Sequence, residues 1–121
     1  MGLEKFTGLR DPNDKDGGGN TLLMVAIAMG KKELAKDLIK MGVTLDTQNK
    51  EGSTALMLSC IGSDVEITSL LIEHGANISL KDIFGHTAWD YAKLNKQNEQ
   101  LKLLDTTLIN RVMKAKRNFK P

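Results

Sequence analysis

The stretch DIFGHTAWDYAK, Asp82 to Lys93, brings a histidine, two aspartates, a tyrosine and the only tryptophan of the chain within twelve residues. These are the side chains of general acid–base chemistry: an imidazole that titrates near neutrality, carboxylates that can orient it, and a phenol with a proton to give. With a serine nearby, the same set would suggest a Ser/His/Asp nucleophile. Metal chemistry would draw on Cys60, His74 and His86, but no Cys or His pair has ligand spacing. The run Gly17 to Gly19 resembles a phosphate loop only until the next residues are read, because no Gly-Lys-Ser/Thr follows. Which of these side chains act together depends on the elements that carry them.

Those elements repeat. Thr21, Thr54 and Thr87 are 33 residues apart, and a glycine stands two positions before each: Gly19, Gly52 and Gly85. Three positions before each glycine is a short polar residue, Asp16, Asn49 and Asp82. Leu38, Leu71 and Leu104 keep the period, as do Gly42 and Gly75. Each column has a physical task. Asp or Asn bonds the amides of a turn, glycine supplies the positive φ, and threonine caps the helix that follows. Apolar residues then recur at helical spacing: Leu23, Ala26 and Ile27 in the first unit, Leu56, Ser59 and Cys60 in the second. Breaks at Met29-Gly30 and Gly62-Ser63 end those helices. Second helices carry Leu34, Leu38 and Ile39, or Ile67, Leu70 and Leu71, and Gly42 and Gly75 are placed to close them in the left-handed conformation.

The segments GNTLLMVAIAMGKKELAKDLIKMGVTLD, GSTALMLSCIGSDVEITSLLIEHGANIS and GHTAWDYAKLNKQNEQLKLLD resemble ankyrin repeats. The resemblance implies an all-α solenoid of stacked helix-turn-helix units joined by hairpin-like turns. It divides the chain into an N-terminal arm with a capping helix (1–15), repeats at 16–48, 49–81 and 82–105, and a basic C-terminal helix extension (106–121). The family's proline is replaced by Leu22, Ala55 and Ala88, and its histidine by Met24, Met57 and Asp90. Leu3, Phe6 and Leu9 suggest the arm, followed by a turn at Asp11 to Asp14; Leu104, Leu108 and Val112 carry the last helix beyond Asp105.

In this frame the reactive cluster dissolves. His86 occupies a column shared with Asn20 and Ser53, which have no chemistry in common with it. Trp89 aligns with Leu23 and Leu56, and Tyr91 with Val25 and Leu58, so both are expected to pack in the core. No catalytic, cofactor or metal residue is assigned, and an enzyme is not expected.

Composition agrees with an ordinary globular chain: 40% hydrophobic and 26% charged residues, with only 4% aromatics, so the core is aliphatic. Cys60, the lone cysteine, suits a reducing compartment, the cytoplasm or nucleus. The longest apolar run, Leu22 to Met29, is far short of the roughly 20 residues needed to cross a bilayer. Phe6 stands where an N-myristoylation motif needs Ser or Thr. Residues 111–121 carry five cations and no acid, while the remainder has 12 basic and 15 acidic residues. That tail is the only footing for nucleic acid, and a weak one with Phe119 its sole aromatic.

What the resemblance leaves is a binding module for another protein, the chain itself a monomer. Partners of such stacks contact turn tips and the first-helix surface. Carried over, these positions are Met29, Lys50, Glu51, Ser53, Ile61, Ile83, Phe84, His86 and Leu94. Met29, Ile61, Ile83, Phe84 and Leu94 are apolar where solvent alone would favour polar residues, and are expected to form one patch.

Overall fold

Each unit begins with a turn held by a single side chain. In the computed structural model, which describes residues 11–96 and 98–117, Asp16 Oδ1 accepts from the N–H groups of Gly18 and Asn20, both at 2.9 Å. Asn49 does the same for Glu51 and Ser53, and Asp82 for Phe84 and His86. The glycine of each turn has φ near +80°, a conformation that costs other residues about 1–2 kcal/mol. The result is a projecting finger before every repeat.

Threonine then starts the helix. Thr21, Thr54 and Thr87 each accept, through Oγ1, the N–H three residues on. The first helices are α1 (Leu22–Ala28), α3 (Ala55–Ile61) and α5 (Ala88–Leu94). The second are α2 (Lys32–Lys40), α4 (Val65–Glu73) and α6 (Asn98–Arg117). Helices of seven or nine residues are too short to hold themselves in water, so packing must hold them. They form two rows: α1, α3 and α5 pack side by side, and α2, α4 and α6 form the row behind.

The core runs between the rows. Leu22, Leu23, Met24, Leu38, Ile39, Leu56, Met57, Ile67, Leu71 and Leu104 are buried, so the two methionines in the family's histidine slot are core residues. Asp90, in the third such slot, instead accepts a hydrogen bond from the Thr87 N–H and completes a capping box. The seam between the first two repeats also carries ion pairs: Lys32 lies 2.7 Å from Glu66, which Lys36 reaches as well.

Fingers are joined by backbone. Lys50 N–H donates to Gly18 O and Ile83 N–H to Glu51 O, each at 3.0 Å. Thr44 N–H bonds Asn13 Oδ1, and 33 residues on Asn77 N–H bonds Asp46 Oδ1. The expected turn at Asp11 to Asp14 is present, closed by Asp14 N–H on Asp11 O. The arm with Leu3, Phe6 and Leu9 lies outside the described residues. The last helix does run on past Asp105, unbroken to Arg117. The expected apolar face at Leu108 and Val112 lies outside the described side chains.

Of the two core expectations, that for Trp89 needs correction, while Tyr91 packs against the core as Leu58 does. Trp89 is half-buried at the border of an open groove; its indole N–H donates to Asp105 at 2.8 Å and the Lys93 ammonium lies over the ring. Tyr91 is also half-buried, with its hydroxyl drawn to Asp82. A phenol cannot enter an apolar layer without a partner for its O–H, and here the partner is on the finger.

Candidate partner-binding surface

The fingers and the first-helix row enclose a hollow of about 370 Å³, lined among others by Asn20, Met29, Glu51, Ser53, Ile61 and Tyr91. A smaller hollow of about 220 Å³ continues it, lined by His86, Asp90, Tyr91 and Leu94. Tyr91 borders both. Of the expected positions, Met29, Glu51, Ser53 and Ile61 therefore share one depression, and His86 and Leu94 the next. Lys50, Ile83 and Phe84 line neither; they stand on the finger tips. Phe84 is linked to the second hollow through aromatic contacts, 6.3 Å to His86, whose ring in turn meets Tyr91 edge-on at 5.4 Å.

Exposure is the notable property of this surface. Ile83 and Phe84 are 65% and 67% exposed and Leu94 72%, with Met29 and Ile61 about half open. Ile61 and Leu94 are one repeat apart at the last turn of α3 and α5, so the stack itself repeats them along the row. Ser53 is half-buried; Lys50, Glu51 and His86 are exposed.

The electrostatics explain why the acid–base cluster is not poised for catalysis. Burial pushes the Asp82 carboxyl up, but bonds from the Tyr91 hydroxyl and the His86 and Phe84 amides outweigh it and hold the group below the usual range. That carboxylate, with burial helping, pushes Tyr91 up to about 12, away from any proton-transfer role near neutrality. Cys60 is buried, which pushes its thiol up to about 11 and removes the thiolate a nucleophile or metal ligand needs. Among the described residues, no group of three His, Cys, Asp or Glu side chains could hold a metal ion. None of the helices there is long and apolar enough to cross a membrane.

Sequence reasoning missed Tyr91, Asn20 and Asn49 as lining residues. The column alignment could have found the asparagines, since Asn20 shares the column of Ser53 and His86, and Asn49 is the turn residue four positions before Ser53. Tyr91 carried no such signal, because its equivalents Val25 and Leu58 are apolar. Of the cations of the basic tail, only the exposed Lys114 lies within the described side chains.

The architecture is a repeat solenoid with an open face along its fingers. A family model for three ankyrin repeats matches residues 23–111, and the chain belongs to the ankyrin-repeat family. Ankyrin repeats are protein-interaction modules. The chain is 38% identical over 72 residues to a putative ankyrin repeat-containing protein of Treponema pallidum (strain Nichols), a match over 60% of this chain and 24% of the relative. It is 38% identical over 74 residues to a putative ankyrin repeat protein of Coxiella burnetii, covering 61% and 22%. It is also 34% identical over 83 residues to glycerophosphocholine phosphodiesterase gde1 of Schizosaccharomyces pombe, covering 68% and 7%. The chain thus spans about a quarter or less of the length of these relatives.

Proposed function

We propose that this chain is a non-catalytic adaptor or scaffold, acting in the cytoplasm or nucleus, that binds a partner protein along its fingers and first-helix row. The observation that carries this reading is the exposure of five large apolar side chains, Met29, Ile61, Ile83, Phe84 and Leu94, three of which line two hollows that share Tyr91. Clustered apolar exposure of this kind is what a partner covers, with Phe84 and Ile83 as the anchors that enter its surface. The test is a pull-down from the source cell with wild type, an Ile83→Asp/Phe84→Asp variant, and Lys40→Asp on the second-helix row as control. A partner that survives the double substitution in a folded protein, at the level seen with the control, sinks the assignment.

A second reading is a regulatory or targeting segment of a larger enzyme or channel. It is favoured by the small fraction of each relative that the chain covers, the phosphodiesterase most of all. Measuring the mass of the endogenous protein decides: a species near 13.3 kDa removes this reading.

A further inference from the structure

The face that the third repeat turns outward is built on the same plan as faces the first two repeats hide. Three positions show it. A Cβ on Gly19 or Gly52 would meet the backbone of the next finger at 3.2 Å or 2.8 Å, whereas Gly85 faces open space. Gly18 O and Glu51 O accept from the next finger, and their equivalent Phe84 O has no partner among the described residues. Leu23 and Leu56 are buried, and their equivalent Trp89 instead borders a groove of about 450 Å³ with Ile78, Lys81, Leu104 and Asp105. A 33-residue period would set the next turn near 115–118, but the chain is still helical there, through 117, so the described residues place no fourth finger on this face.

We infer that the face takes the first repeat of a second copy of this chain, head to tail. The complementarity is specific. On the first finger the donor equivalent to Lys50 and Ile83 is Gly17, whose N–H is also without a partner among the described residues, so Phe84 O and Gly17 N–H of the second copy match. Lys102 is Lys36 moved on two repeats, and Glu33 is Glu66 moved back one. The bridge from Lys36 to Glu66 at the first seam therefore predicts a bridge from Lys102 to Glu33 of the second copy. Glu33 already lies 3.4 Å from Lys36, and Glu66 shows that one such carboxylate holds two lysines. Lys81 is the equivalent of Gln48, whose side-chain amide donates to the Lys81 carbonyl one repeat on, so a cation at 81 meets the carbonyl of Lys15 of the second copy, beside Asp14 and Asp16. A contact between different faces that repeats the step of the stack, itself far from closing a ring over three repeats, gives an open, concentration-dependent row and not a fixed dimer. This departs from the monomer expected from sequence.

The experiment is sedimentation velocity of the full chain from micromolar to submillimolar concentration, at low and high salt. The weight-average mass should climb with concentration, and salt should weaken the climb. Lys102→Glu and Glu33→Lys, both at exposed sites away from the finger tips, should each weaken association by roughly three- to tenfold. The Lys102→Glu/Glu33→Lys double variant should recover it, and circular dichroism should show all three folded. A mass that stays at the monomer value throughout overturns the inference, as does a double variant no better than the singles. Because neither residue lines the partner hollows, failure here leaves the pull-down result standing.

Discussion

The hydroxyl of Tyr91 donates to Asp82, tying α5 to the finger nine residues earlier. The same carboxylate accepts from the Phe84 and His86 amides, so one residue holds both the turn and the helix beside it. Phenylalanine at 91 keeps the ring and removes only the tie. Tyr91→Phe should destabilise the protein by about 1 kcal/mol, read as a lower urea midpoint at unchanged slope. The pH dependence has a definite sign. A folded-state value raised from 10.0 to about 12 means stability fully present below pH 10 and lost as pH climbs toward 12. Wild type should show that loss, and the phenylalanine variant should lack Tyr91's share of it.

At the opposite end of the scale, Glu66 is held down to about 2 from its ordinary 4.5 by its bonds from Lys32 and Lys36. Its contribution is present above pH 4.5 and fades as pH falls toward 2. The site is exposed, so the effect is modest and salt-sensitive. Glu66→Gln should flatten the acid limb of a pH–stability profile in low salt, and the two proteins should converge in high salt.

Glycine positions differ in what they cost to change. Gly52→Ala places a methyl 2.8 Å from Asp82 Cα and must push the third finger away, on top of the strain of φ +77°. About 3 kcal/mol is expected. Gly85→Ala carries the φ strain alone and should cost about 1 kcal/mol in dilute solution. Equal losses in urea titrations would contradict the difference in finger contact.

Gln100 is fully buried, with neither amide atom bonded among the described residues. Ile67 and Leu34 are its equivalents one and two repeats back. Gln100→Leu should stabilise the protein by about 1–2 kcal/mol, seen as a raised thermal midpoint, since it removes an unpaired amide from an apolar layer.

How far the sequence could be read follows from where each constraint acts. Asp16, Asn49 and Asp82, with the glycines and threonines after them, obey rules of the local backbone. They recur wherever that backbone recurs, and the fold was legible from them. Trp89, Tyr91 and Gln100 obey their surroundings instead. A column alignment assigns Trp89 to the core because Leu23 and Leu56 are there, but it carries no information on what packs over each position. Likewise Ser63 and Lys96 adopt positive φ where the first repeat uses Gly30, and residue type gave no hint. On the candidate surface, exposed apolar residues at turn tips stood out in the sequence. Their grouping into two hollows depends on the spacing between helices, which no column reports.

Cys60 gives the molecule an internal clock. Its sulfur is shut inside the middle repeat and resists ionising until pH is near 11, so a thiol reagent meets it only when the stack parts. Labelling at that one atom therefore times the opening of the centre, while a cysteine placed on a finger tip would react at once and report only its own exposure. The chain can be tagged at its edge and interrogated at its heart with the same chemistry, with the native thiol left in place.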